Sequence, residues 1–563
     1  MDPNNQGYGQ AQGYYNGQQQ YNSAPPPKQY QQYEQGPPPQ QFQQQQYQQY
    51  DNGGPGPQEQ MPNPPSYGQN YSSPDGKAGF EQTFKVERPK WNDLWAGALL
   101  IVVFLGYVAI SGYCLHSYAS NSSLNNGGFS NTDNTFGLNG NTLVLFAFVL
   151  VAALVLGYAY VVMARMFTKQ FIWISGILNI CMTIATAVYQ FYRHAYVGGV
   201  LFALLAVFTI ICFISWIKRI PFSVLMFQTA VDVSKKFGHV YLVSFMGGLI
   251  AALFAAWFAA TLVAVYIRFQ PSNNNPACAA GGSGGDCSKA TVIGLVVYIT
   301  FAGYWITEWL KNTIHVTISG VYGAWYFNPN NPAKGATRGA AKRALTYSFG
   351  SIAFGSLIVA ILDFLRFACS IARGNGGTGN PVADCAFCIL QCILGLIQWA
   401  IEFVNRYAFS YIALYGKAYI ASAKGTWKMI KDRGIDALIN ECLVGPVLSM
   451  GCLFVAVCCA LVAYIYLDVT DPAYNEGGAF TGVIVVYAFL IGLQIASCFV
   501  VPINSGIDTI FVGMGWDPQC LMQQHGDLYQ RMVQVYPHVS RAMRCGDPNG
   551  VLTVSQVQQA IHA

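Results

Sequence analysis

The sequence predicts an all-α, polytopic membrane protein with about ten transmembrane helices and a disordered Gln/Tyr/Pro-rich N-terminal tail. Of its 563 residues 53% are hydrophobic and only 10% are charged, against about 25% charged in a soluble globular chain. The apolar residues come in runs long enough to cross about 30 Å of hydrocarbon as helices. Lys and Arg return in alternate loops, as they do in segments retained on the cytoplasmic side. An ordinary soluble enzyme is excluded. The net charge of +5 is small and scattered, and no basic stripe appears, so nucleic acid is not an expected partner.

Residues 1–90 form the tail. No Leu, Ile or Val occurs before residue 76, so this segment cannot bury enough apolar area to offset the entropy of ordering. Its alternating Gln and Tyr read as prion-like low complexity, and it lacks the basic start and apolar core of a signal peptide. The triplets Pro25 to Pro27 and Pro37 to Pro39 suit a cytoplasmic SH3 or WW partner that binds polyproline II. An unbound, solvated tail is the simpler reading.

The membrane domain covers residues 91–512, with spans expected near 92–115, 142–163, 171–191, 197–217, 241–267, 291–327, 346–367, 384–411, 444–467 and 481–512. Residues 513–563, with Arg531, Arg541 and Arg544, are polar enough to leave the membrane as a second cytoplasmic tail. The chain approaches its first span through Lys77, Lys85, Arg88 and Lys90. Alternate loops then carry Arg165 and Lys169, Lys218 to Lys236, Lys334 to Arg343, and Lys417 to Arg433. Both termini are therefore expected in the cytoplasm.

Cysteines bracket two of the loops assigned to the exterior. Cys278 and Cys287 are expected to form one disulfide, and Cys369 and Cys385 a second, because the oxidising face is where such pairs persist. Asn121 begins an Asn-Ser-Ser acceptor for glycosylation in the first exterior loop. Gly374, Gly376 and Gly379 match GxGxxG, and Gly281, Ser283 and Gly285 match GxSxG. Neither motif lies between a strand and a helix, so both read as chance matches in Gly-rich loops. Cys385, Cys388 and Cys392 recur at helical spacing with no His nearby, which suits a packed thiol stripe better than zinc. No metal, cofactor or catalytic constellation is expected, and the chain is not read as an enzyme.

The informative residues are ionisable groups inside the spans, each costing about 2.5 to 3.5 kcal/mol at a helix centre. In the sixth span Tyr304, Trp305, Glu308, Lys311, Asn312, His315, Ser319 and Tyr322 fall close to one line of a 100° helical wheel. Glu308 is within reach of Lys311 and Asn312. A carboxylate beside aromatic rings suits an organic cation, and His315 is able to add proton coupling. The bland alternative stays open: a helix that enters at Thr291 leaves Glu308 near the cytoplasmic boundary, with Lys311 snorkelling.

Asp363 with Arg366, and Glu402 with Arg406, have the spacing of structural ion pairs along their own helices. Asn504 and Asp508 follow Pro502, where a break in the last span would create an ion or substrate site. Gly248, Ala252, Ala256 and Ala260 form a small-residue seam.

Four blocks carry a resemblance: WLKNTIHVTISGVYGAWYF from Trp309, SFGSIAFGSLIVAILDFLR from Ser348, FVNRYAFSYIALYGKAYIASAK from Phe403, and GIDTIF from Gly506. They resemble the hallmark segments of choline transporter-like proteins, and the polar tail is most similar to that family's fungal, pH nine sensitive branch. The resemblance covers about 420 residues of the membrane portion. It implies a multi-pass plasma-membrane protein with ten helices and choline or a related amine as cargo. The expected function is thus secondary transport of an organic cation, coupled to protons through His315 or Asp508. The alternative is a non-transporting scaffold or stress-response component whose tail recruits cytoplasmic partners. Membrane lipids are partners in either case.

Overall fold

A computed structural model describes residues 90–120, 140–194, 196–269, 288–330, 335–373, 381–432, 439, 442–470 and 481–537. Ten of its helices are long and apolar enough to cross a membrane. They are α1 (Leu94–Ser120), α2 (Gly140–Met166), α3 (Thr168–Tyr192), α4 (Tyr196–Trp216), α6 (His239–Phe269), α7 (Lys289–Phe327), α9 (Phe349–Arg373), α10 (Pro381–Tyr415), α12 (Val444–Thr470) and α13 (Thr481–Trp516). The chain is a multi-pass membrane protein, and all ten expected spans are present.

Five shorter helices occupy one side of the bundle: α5 (Ile220–Lys236), α8 (Ala336–Leu345), α11 (Tyr419–Asp432), α14 (Pro518–Gln524) and α15 (Gly526–Val535). They carry Lys235, Lys236, Lys342, Arg343 and Lys431, and we call this the basic side. Residues after 512 are thus not all tail, since α13 runs to Trp516 and α14 and α15 fold back onto it and onto α5 and α7.

Hydrocarbon as solvent explains the surface. In α1, Leu100, Tyr107 and Cys114 recur every seventh residue and are buried, whereas Ile101, Val102 and Leu105 face outward. In water that outer face would be a liability; against lipid tails it costs nothing. The α1 start is held by polar contacts instead. Asp93 adopts a left-handed φ of 53°, and its carboxylate accepts from Ser351 Oγ at 2.6 Å and from the Tyr419 backbone N–H at 2.8 Å. A side chain at Gly350 would strike the Asp93 carbonyl.

Helices α7 and α13 form the frame. α7 packs against α1, α6, α8, α9, α10 and α13, and α13 against α2, α5, α6, α7, α10 and α12. α7 is one unbroken helix of 39 residues, about 58 Å long, with the Ser288 side chain capping the Thr291 N–H at 3.0 Å. α13 has 36 residues and passes through Pro502 without interruption, so the expected break is absent. Where the two cross, the rings of Tyr322 and Tyr326 lie against Gly506 and Gly513, positions where even a methyl would collide. Tyr322 Oη continues to the Ala230 carbonyl of α5 at 2.8 Å.

Of the small-residue seam on α6, Gly248 lies against Cys498 of α13 and Ala260 is half-buried, whereas Ala252 and Ala256 face outward. The expected Cys369 to Cys385 disulfide is corrected. Both are free thiols, each one turn inside a separate helix, where helical register and not the connecting loop aims the side chain. Cys388 and Cys392 are free as well. Asn121, Cys278, Cys287 and both glycine motifs lie outside the described residues.

Candidate functional site

A polar stripe on α10 organises the interior. Gln398, Glu402, Arg406 and Ser410 follow one another at intervals of four, which places them on one helix face, and Gln398, Arg406 and Ser410 each contact a neighbouring helix.

Gln398 is the junction of the outer part. Its Nε2 donates to Asp363 Oδ1 and to Glu402 Oε1, both at 2.8 Å, and its Oε1 accepts from Arg366 Nη1 at 2.6 Å. Asp363 and Glu402 lie within electrostatic reach of Glu308, which accepts from Lys311 Nζ at 2.8 Å. Three carboxylates and two cations therefore meet between α7, α9 and α10. The Lys311 side chain is 59% exposed and that of Glu308 only 13%, so the lysine reaches out while its partner stays inside.

Nearer the basic side, Arg406 reaches a cavity of about 70 Å³ lined by Arg406, Tyr407, Cys442, Asn504, Asp508 and Phe511 among others. Val444 and Gly445, the first residues of α12, also line it, so it lies where that helix begins. This is room for a few water molecules. Asp508 Oδ2 sits 3.2 Å from Arg406 Nε, with the aspartate side chain 5% exposed and the arginine 50%. The contact is an ion pair by distance only, since Oδ2 accepts no hydrogen bond. Arg406 also lies over the Tyr407 ring, 5.3 Å from its centroid, and donates from Nη2 to the Tyr407 hydroxyl at 3.1 Å. Burial pushes the Cys442 thiol up to about 12, leaving it a poor nucleophile although it borders the cavity.

A hydrogen-bonded septum lies beside the stripe. His315 Nε2 is 2.9 Å from the Arg406 carbonyl and 3.1 Å from Ser410 Oγ, and Nδ1 is 2.9 Å from Ser505 Oγ. The carbonyl can only accept, so Nε2 carries a proton; in the neutral ring Nδ1 then accepts from Ser505. Asn312 Nδ2 donates to Ser356 at 2.9 Å, and Tyr419 Oη donates to Asn405 Oδ1 at 2.6 Å.

The expected residues thus divide. Glu308 pairs with Lys311 as its spacing suggests, and Asp508 and Asn504 border a cavity. Trp305 is fully buried, with its indole N–H on the Ala353 carbonyl at 2.9 Å. Tyr304 packs edge-on to Phe367. The two expected intrahelical ion pairs are corrected. Asp363 and Arg366 meet through Gln398, and Arg406 pairs with Asp508 of α13 instead of Glu402. Spacing along one helix says which partners are near, but burial lets a facing helix outbid them. Sequence reading missed Gln398, Asn405, Ser410 and Ser505, although the i, i+4 run from Gln398 to Ser410 was available to find two of them.

A family model described as plasma-membrane choline transporter matches residues 200–519. The chain belongs to that family. Its similarity to the fungal proteins named Protein PNS1 extends further. It is 57% identical to that of Gibberella zeae over 481 residues, 85% of this chain and 88% of the relative. The Aspergillus fumigatus protein is 54% identical over 487 residues, 85% and 89% of the two chains. The Saccharomyces cerevisiae protein is 36% identical over 474, 82% and 87%. The family match includes α7, α9, α10 and α13, hence every residue of the stripe and its cavity.

Proposed function

We propose that the protein is a plasma-membrane secondary transporter of choline or a related organic cation, with both termini in the cytoplasm and alternating access around the interior of α7, α9, α10 and α13. The observation that carries this is Asp508: a buried carboxylate with an oxygen lacking any hydrogen bond, beside a cavity with aromatic walls. Such a group is costly to keep, and it matches an ammonium headgroup that Tyr407 and Phe511 attract through their ring faces. The family description supports the cargo, and Glu308 with its neighbours supplies the outer approach. His315 bridges α10 and α13 and serves as the proton relay.

The test is labelled-choline uptake by the full-length protein in liposomes, with and without a proton gradient. Asp508→Asn is expected to lower uptake at least tenfold, and His315→Gln to abolish its dependence on the gradient. Uptake unchanged in Asp508→Asn removes the assignment.

A further inference from the structure

We propose that Arg406 is a tethered cation that exchanges between Asp508 and Glu402, so that the inner cavity accepts an organic cation only when the arginine has moved one turn outward along α10. The proposal rests on the cation-transport reading and adds the residue that switches it.

Three observations lead here. First, the cavity is electrically closed by its own protein: one carboxylate, Asp508, and one guanidinium, Arg406. A second cation would find no net attraction there. Second, Arg406 is loosely tied to Asp508, and its contacts with the Tyr407 ring and hydroxyl are to its own helix. Half of its side chain is exposed, and its Nε meets Asp508 Oδ2 at 3.2 Å without forming a hydrogen bond. Third, a second carboxylate is in place. Glu402 precedes Arg406 by four residues, the favourable order for an acid-to-base pair on one helix, and its Oε1 is held by the neutral Gln398.

The exchange keeps the total charge and moves one unpaired negative charge from the outer group to the cavity. With Arg406 on Asp508, the outer group holds three carboxylates (Glu308, Asp363, Glu402) against two cations (Lys311, Arg366) and carries one net negative charge when ionised. Moving Arg406 to Glu402 neutralises that group and leaves Asp508 alone in the cavity. An organic cation that enters beside Tyr407 then restores neutrality. The guanidinium already occupies the place over the tyrosine ring and against the carboxylate that a quaternary ammonium requires, so substrate and arginine compete for the same ground.

Equilibrium binding of labelled choline to the purified full-length protein tests this. Arg406→Gln removes the competitor and is expected to tighten binding at least tenfold. Glu402→Gln removes the alternative partner and is expected to weaken it at least fivefold, and Asp508→Asn to abolish it. Binding that is unchanged or weaker in Arg406→Gln overturns the proposal, as does tighter binding in Glu402→Gln. A ligand-free measurement guards against a misfolded variant. Glu402→Gln is expected to lower the melting temperature by several degrees more in an Asp508→Asn background, where Arg406 has moved to Glu402, than in the wild type. Equal shifts in the two backgrounds overturn the exchange whatever choline does. Absence of saturable choline binding to the wild type defeats the transport reading instead, and the melting comparison still decides the exchange.

Discussion

At the residue scale, polar side chains that leave the helix-forming pattern hold this protein together. Asn405 is buried, accepts from Tyr419 Oη at 2.6 Å and donates to the Gly355 carbonyl at 3.3 Å. Asn405→Ala strands the tyrosine hydroxyl and is expected to cost about 1–3 kcal/mol, read as a lower melting temperature. His525, between α14 and α15, gives a pH-dependent counterpart. Burial holds its pKa below the usual histidine value, and Lys236 adds to this against the opposing hydrogen bond to the Tyr326 carbonyl. The unfolded state therefore binds more protons, so the stabilisation is complete above about pH 6.5 and fades as pH falls. Melting temperatures between about pH 7.5 and 5 should decline less steeply in His525→Asn than in the wild type. Only part of this was readable in advance. Glu308 and Lys311 are neighbours on one helix, and their contact follows from spacing. The partners of Asp508 and Asn405, and Asp363 and Arg366 beside Gln398, come from other helices, which one-dimensional periodicity does not order.

At the scale of elements, the contrast lies in length. Each transmembrane helix announces itself because its run of apolar residues matches the hydrocarbon thickness. The basic-side helices α5, α8 and α11 are 17, 10 and 14 residues long, and amphipathic segments of that size resemble loops once basic residues interrupt them. Pro502 misleads in the opposite direction. It removes one backbone donor, but neighbouring helices hold α13 straight enough to remain continuous, as is common for proline within membrane bundles. The α7–α13 crossing depends on the absence of side chains at Gly506 and Gly513. Gly506→Ala is expected to destabilise by about 1–3 kcal/mol through the collision with Tyr322, and Tyr322→Phe in the same background should not relieve it because the ring carbons, not the hydroxyl, make the contact. Thermal unfolding of the two variants measures this.

At the scale of the whole molecule, the transport reading and the scaffold reading are separable by experiment. The cavity, the stripe and the septum are all built from residues after 300, so deletion of residues 1–75 should leave choline uptake within about twofold of the full chain. Loss of uptake on that deletion, with the membrane domain still folded by melting temperature, would favour the scaffold reading. The ten membrane-length helices were legible because solvent chooses composition: hydrocarbon demands unbroken apolar helices.

The His315–Ser505 contact lies off-centre on both long rods. From it, α7 extends about 39 Å to Lys289 and about 18 Å to Phe327, and α13 about 36 Å to Thr481 and about 16 Å to Trp516. Both therefore have arms in a ratio of roughly two to one about the same fulcrum. A pivot that shifts their short arms by about 2 Å sweeps the far ends through about 4 Å in the opposite sense. Leverage of that kind turns a small rearrangement at one face of the bilayer into a wider opening at the other.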